Sequence, residues 1–198
     1  MGTTTKVTSA TLRGVDWERH WAPYDEPTYQ TVLEWVHSED IVLDIGAGDF
    51  RLAFRLVDHV QKCFAIEINQ SLTAIAEARP RPDNLSIICA DAYRYPFSEG
   101  ITLTVLLMRH CQRFRVIADK LLAVGCRRLI TNARWGVGVE MIELGAVRRP
   151  YSTLSMGWYA CWCGATGFIP GPADRVTPEL EKNIQEVLNC PACRVGSD

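Results

Sequence analysis

The sequence carries almost no excess of either charge. Its 198 residues include 21 basic and 23 acidic side chains, for a formal net charge of −2. That balance excludes a global field drawing the protein to nucleic acid or to an anionic membrane, so any basic binding surface must be local. No apolar run approaches the length needed to span a bilayer. The N-terminal stretch Met1-Gly2-Thr3-Thr4-Thr5-Lys6 lacks the apolar core of a secretion signal. The expectation is a cytoplasmic protein with no membrane partner. There is no internal repeat and no low-complexity tract, and a hydrophobic content of 47% argues against wholesale disorder. Without a secretion signal, the 8 cysteines have no support as a disulfide framework.

What is present is an alternation of two periodicities. Helical spacing of apolar residues begins at Thr28 and runs through Val36, ending near His37-Ser38. Ile41-Val42-Leu43-Asp44-Ile45 then reads as a short buried strand, and Leu52 to Val57 as a helix. Cys63 to Ile66, Leu85 to Cys89, Ile101 to Leu107 and Arg128 to Thr131 read as further strands, with helices over Ser71–Ala78 and Val116–Val124. Strands alternating with helices imply right-handed crossovers. The expected fold class is therefore α/β, a Rossmann-like doubly wound and mostly parallel sheet with helices on both faces. Val139 to Leu144 and Met156 to Trp162 are predicted as strands added at one edge, and Pro178 to Leu188 as a helix. The expected organisation is a lead-in over residues 1–27 carrying Trp17 and Trp21, a ligand-binding domain over 28–155, and a cysteine-bearing module over 156–198 packed on the same domain.

The run Leu43-Asp44-Ile45-Gly46-Ala47-Gly48-Asp49-Phe50-Arg51 follows the first strand and opens a helix. Glycines there allow a tight turn and close approach of a ligand, and a helix N-terminus adds free N–H groups. Asp44 ends the first strand and Glu67 the second, the position from which an acid accepts hydrogen bonds from both ribose hydroxyls of an adenosine ligand. Asp91, after the third strand in Cys89-Ala90-Asp91-Ala92, is placed to receive the adenine amino group. A nicotinamide dinucleotide site is the competing reading, but it prefers a full G-x-G-x-x-G turn, and Arg51 stands where the last glycine would be.

In these three motifs the chain resembles the class I S-adenosylmethionine-dependent methyltransferases, over roughly residues 28 to 132. Leu43 to Gly48 is similar to that family's cofactor loop, Ala65-Ile66-Glu67-Ile68 to its ribose-binding strand end, and Ala90-Asp91-Ala92 to its adenine-binding one. Phe50 occupies a position where the family often has a third glycine. Phe64-Ala65-Ile66-Glu67-Ile68-Asn69 also resembles the rRNA adenine dimethyltransferases. The resemblance implies S-adenosylmethionine held by Asp44, Gly46, Ala47, Gly48, Glu67, Ile68, Asp91 and Ala92.

Cys161-Trp162-Cys163-Gly164 and Cys190-Pro191-Ala192-Cys193 resemble zinc-ribbon knuckles. Four thiolates suit tetrahedral Zn2+, and a site closed by four protein ligands is structural and not catalytic. The competing reading is four free or buried thiols. For the acceptor, the resemblance points to the segment after the fourth strand, Leu107-Met108-Arg109-His110-Cys111-Gln112-Arg113. The N/D-P-P-Y motif of methyltransferases acting on adenine is absent there. His110 is the candidate general base, and Arg109 and Arg113 the candidate substrate-orienting cations. Arg115, Arg127, Arg128, Arg148 and Arg149 extend a candidate basic face, weighed against ordinary solvated charge. Trp135, Tyr151, Trp158 and Tyr159 are candidates for base stacking, against core packing. The function expected is methyl transfer, with RNA among the candidate acceptors. The alternative is a non-catalytic binding module built on the same fold and zinc knuckle.

Overall fold

The computed structural model describes residues 24–109, 111–136 and 138–194, without the side chains of Glu181 and Arg194. The lead-in as far as Pro23, with Trp17 and Trp21, and the candidate base His110 lie outside the described residues. Two compact units divide the chain, the first ending at Val105 and the second starting at Leu106.

The first unit opens with α1 (Glu26–Glu34). It begins two residues earlier than apolar spacing suggests, because Asp25 caps it by accepting from Thr28 N at 3.1 Å and Thr28 Oγ1 at 2.6 Å. Tyr29 and Val32 form its buried stripe. β1 (Ile41–Ile45), α2 (Arg51–Leu56), β2 (Lys62–Glu67), α3 (Gln70–Glu77), β3 (Leu85–Cys89) and β4 (Leu103–Leu106) follow. β1 pairs in parallel with β2 on one side and β4 on the other, and β2 pairs in parallel with β3. Such strands are covered on both faces, which is why they read as unbroken apolar runs. Glu26 clamps Arg55 of α2 through two contacts of 2.7 and 2.9 Å.

The second unit holds α4 (Phe114–Ala123), then β5 (Arg128–Thr131) and β6 (Glu140–Glu143), which pair antiparallel. The hydrogen-bonded strand order is β3-β2-β1-β4-β5-β6, a mostly parallel Rossmann-like sheet wound outward in both directions from β1. Among the described residues, no helix is long and apolar enough to cross a membrane.

A separate four-stranded sheet, in the order β7-β10-β8-β9, occupies the rest of the second unit. Its strands are β7 (Arg149–Pro150), β8 (Gly157–Cys161), β9 (Thr166–Ile169) and β10 (Gln185–Leu188). This corrects two expectations. Met156 to Trp162 does not extend the main sheet; its core is β8, paired with β9 and β10. Pro178 to Leu188 is not one helix. Thr177 and Pro178 start a helix α5 that ends at Lys182, and Gln185 to Leu188 is strand β10. The spacing of Leu180, Ile184 and Val187 suits a helix, but pairing of Val187 with Cys161 in β8 decides the conformation.

Phe50 resolves the missing third glycine. It adopts φ 64°, the left-handed conformation that glycine favours, directly before α2, and its side chain is 0% exposed. A left-handed non-glycine residue costs about 1–2 kcal/mol, whereas burying an aromatic ring is worth more, since Phe→Ala in a core costs roughly 3–5 kcal/mol. Phe50→Gly is therefore expected to relax the backbone yet lower stability by about 1–4 kcal/mol in urea unfolding. A midpoint equal to or above that of the parent protein would mean that strain outweighs ring burial.

Candidate functional site

The glycine turn is organised by Glu67. The turn is anchored where Gly46 N and Ala47 N both donate to Ile66 O, at 2.8 and 3.0 Å. Gly48 N then donates to Glu67 Oε2 at 2.8 Å, and Asn69 N to Glu67 Oε1, also at 2.8 Å. Gly46 at φ 72° and Gly48 at φ 58° are the positions where the turn needs left-handed residues. The N–H groups of Gly46, Ala47 and Gly48 are thus committed within the protein. Phe50 N donates to Ala47 O and Arg51 N to Asp49 Oδ1, so the glycines contribute close approach more than donors. Arg51 also grips the Asp49 carboxylate from its guanidinium.

Asp44, Gly46, Ala47, Gly48, Glu67 and Ile68 come together at the C-terminal ends of β1 and β2. Ala90 N donates to Glu67 O at 3.0 Å, which brings the start of the Asp91 turn to the same edge. Asp91 caps its own turn by accepting from Tyr93 N at 2.9 Å, and Arg94 approaches its other oxygen at 3.7 Å from an exposed position. Ile68 is 69% exposed, an apolar side chain left open directly beside a buried carboxyl.

β1 has a buried acid at each end, and the two are treated oppositely. Asp40, at its start, accepts from His37 N at 2.8 Å and Thr102 Oγ1 at 2.6 Å. Asp44, at its end, is 3% exposed, and its Oδ2 has no hydrogen-bond partner among the described residues. An unsatisfied buried acceptor of this kind costs roughly 1–3 kcal/mol. Burial, with the neighbouring Glu67 adding repulsion, pushes the Asp44 carboxyl up to about 7. The same burial, with Asp44 beside it, pushes the Cys63 thiol well up.

In the second unit, the sulfurs of Cys161, Cys163, Cys190 and Cys193 all lie within 4.8 Å of one another. Cys161–Cys193 and Cys163–Cys190 are each 3.6 Å apart and Cys190–Cys193 3.9 Å. A disulfide needs about 2.05 Å. Sulfurs at the corners of a tetrahedron with bonds of about 2.3 Å to its centre stand about 3.8 Å apart, so the cluster has the dimensions of a four-thiolate zinc site. Tight turns build it: Gly164, at φ 98°, donates to Cys161 O at 2.8 Å, and Cys193 N donates to Cys190 O at 3.0 Å after the left-handed Asn189. Val187 packs with Cys161 and Cys190 in a small buried core.

Arg109 and Arg113, the expected substrate-orienting cations, are both exposed in the second unit, Arg113 directly before α4. Arg148 does not belong to a basic face. Its side chain is 6% exposed, pairs with Glu186 at 3.2 Å, donates to three backbone carbonyls and lies over the Trp162 ring at 4.2 Å. Sequence reasoning also missed Arg134, whose side chain is 1% exposed and held by Glu140 and Glu186. Asn132, 3% exposed with its Oδ1 lacking a hydrogen-bond partner among the described residues, was equally invisible.

The family model for ribosomal RNA adenine dimethylases matches residues 26–120. That segment resembles the class I S-adenosylmethionine-dependent methyltransferases. Within this class, it is the ribosomal RNA adenine dimethylase family that the segment resembles. Among solved structures, the chain is similar to the YcgJ protein from Bacillus subtilis, with 18% identity over 54% of this chain and 50% of that one and a TM-score of 0.49. It is also similar to a dimethyladenosine transferase from Plasmodium falciparum, with 18% identity, 54% and 41% coverage and a TM-score of 0.44. The 23S rRNA methyltransferase ErmE shows 21% identity, 55% and 46% coverage and a TM-score of 0.45. The chain thus spans about half the length of these structures. No curated protein sequence matches it.

The raised Asp44 carboxyl makes stability pH-dependent with a definite sign. Below about pH 4 the group is protonated in both the folded and unfolded chains. Between pH 4 and about 7 only the folded chain keeps the proton, so the stabilisation present at low pH is lost as pH rises through the folded value. Asp44→Asn removes this dependence. Relative to the parent, the variant is expected to gain about 2–3 kcal/mol between pH 5 and pH 8, measured by urea unfolding of the ligand-free protein. Parallel stability curves across that range would exclude a protonated Asp44.

Proposed function

We propose that the chain is an S-adenosylmethionine-dependent methyltransferase acting on RNA, with a structural zinc ion in its C-terminal module. The observation that carries the cofactor reading is the buried Glu67 carboxyl, fixed between Gly48 and Asn69 with Ile68 open beside it. Each carboxylate oxygen accepts one backbone N–H and keeps a second acceptor site, enough for the two ribose hydroxyls. Ile68 offers an apolar face to the adenine, and Asp91, with Ala92 following it, an acceptor for the adenine amine. Gly46, Ala47 and Gly48 admit the methionine portion at close range, and the orphaned Asp44 Oδ2 is the acceptor for its cationic end.

RNA as acceptor rests on the family matched by residues 26–120. The absence of the adenine-holding motif after β4 leaves the methylated atom to chemistry particular to this chain. In this reading Arg109 and Arg113 orient the anionic acceptor, and His110 assists proton removal, a contribution typically of about 10²–10⁴-fold. The competing reading, a platform that binds without transferring, is distinguished by the transfer itself. The zinc reading rests on the dimensions of the four-sulfur cluster, and the metal would hold these thiols deprotonated.

Calorimetry with S-adenosylhomocysteine is expected to show binding that Glu67→Ala weakens by about 1.5–3 kcal/mol. Binding of a nicotinamide dinucleotide in its place would overturn the class. Transfer of a labelled methyl group to an unmodified ribosomal RNA transcript is expected, and label appearing only in protein or metabolite fractions would overturn RNA as acceptor. Elemental analysis should find one zinc per chain in protein prepared without chelators. Cys190→Ser should lose it while the parallel sheet survives.

A further inference from the structure

Arg134 follows β5 by three residues and is the most completely buried cation in the described ion pairs, at 1% exposure. Two carboxylates hold it. Glu140, at the start of β6, accepts from Arg134 Nε at 2.8 Å and Nη2 at 2.7 Å, and also from Trp135 Nε1 at 3.3 Å. Glu186, on β10, accepts from Arg134 Nη2 at 2.6 Å and Nη1 at 3.0 Å, and from Arg148 Nε at 3.2 Å. Burial alone would drive the proton from Arg134; the hydrogen bonds it donates to both glutamates outweigh that and hold the guanidinium charged. A buried cation with paired partners resists motion because breaking either contact strands a charge.

The position of Glu186 links this cluster to the sulfur site. Val187, its neighbour, pairs with Cys161 in β8 and packs with Cys161 and Cys190, and its carbonyl accepts from Trp162 N at 3.0 Å. Cys190 follows only three residues later. At the other end, the turn carrying Arg134 is closed by Gly136 N donating to Asn132 O at 2.9 Å. It is tied to the end of β5 by Ala133 N donating to Thr131 Oγ1 at 3.0 Å.

We propose that Glu186 and Arg134 are positioning residues that carry the state of the four-cysteine site to the turn 132–136 at the C-terminal end of β5. Loading the sulfurs fixes β10, β10 presents Glu186, and Glu186 with Glu140 locks Arg134 and the turn around it. Carboxyl ends of strands are where ligands gather in folds of this class, so this device sets the shape of a ligand-side turn from a metal site that takes no part in the chemistry. The inference builds on the zinc reading above, but its clamp can be tested without it.

The test is hydrogen exchange by mass spectrometry on the full chain. Stripping the metal with a chelator is expected to speed exchange at least tenfold in both 185–188 and 131–136, leaving 41–45 and 62–67 unchanged. Glu186→Gln is expected to speed 131–136 by a similar factor while metal content and affinity for S-adenosylhomocysteine stay at parent levels. Arg134→Lys, which keeps the charge but not the two-pronged geometry, should do the same. Chelation that frees 185–188 but not 131–136 overturns the coupling, as does Glu186→Gln with parent exchange in 131–136. Loss of S-adenosylhomocysteine binding in that variant would show a general loss of fold, and its exchange rates then count for nothing. Protein found without zinc sinks the metal reading and with it the link to the sulfurs; the variants then decide the clamp alone. Should Glu186→Gln fail to fold, the chelation series on the parent protein still decides the proposal.

Discussion

The first unit depends on one carboxyl group. Glu67 ends β2, and its two oxygens collect the backbone of the glycine turn after β1 and the first residue of the turn into α3. Without it, Gly48 N would be a buried donor with nothing to meet, and the turn would lose the contact that sets its curvature. Asp44 lies buried nearby, with an oxygen that has no hydrogen-bond partner among the described residues, and burial first, then the second acid beside it, opposes its ionisation. Asp40 shows that the fold can satisfy a buried acid on β1 when only structure is at stake. The contrast separates an end of the strand where a buried acid is fully bonded from an end where one is not.

The second unit solves a different problem. Its four-stranded sheet is small, and one of its buried clusters consists of little more than Val187, Cys161 and Cys190 with half-buried neighbours. A core of that size needs help from cross-links or a metal. Two features supply anchorage: the sulfur site, and the arginines Arg134 and Arg148 converging on Glu186. Trp162 adds a third, donating from Nε1 to Asp119 of α4 at 2.6 Å while its ring lies beneath Arg148. Charged and polar contacts therefore join the module to α4 and to the segment after β5.

Much of this was legible in the chain. Parallel strands buried on both faces leave continuous apolar runs, so β1 to β5 stand out, and the acids at their ends are found by counting from the strands. The four cysteines declare themselves by close spacing in two pairs. Other features leave no such trace. β10 carries residues that fit a helix as well as a strand, and only pairing with β8 settles it. Phe50 looks like a departure from a glycine pattern, yet it takes the glycine's conformation because its ring has a place in the core. Arg134 and Glu186 lie far apart in sequence, and nothing local marks them as partners. Arg148 reads as surface charge until its three carbonyl partners are seen.

The family match ends at Lys120, inside α4, and so covers α1 to β4 but none of β5, β6 or the sulfur-bearing sheet. Inside the matched segment, the cofactor-side pattern is kept while the acceptor-side motif is replaced by Met108-Arg109-His110-Cys111. Binding an adenosine moiety requires little more than a close turn and strand-end acids, so those features persist wherever the cofactor does. Recognition of an acceptor requires groups matched to one substrate, and such groups vary where a cofactor pattern does not. The segment after β5 is held more firmly than a plain connection. It has a buried amide oxygen at Asn132 with no hydrogen-bond partner among the described residues, a half-exposed indole at Trp135 and an arginine that cannot shift without breaking two ion pairs. A segment that served only to connect β5 with β6 would need none of these, since a short polar turn closes an antiparallel pair at far lower cost in buried charge.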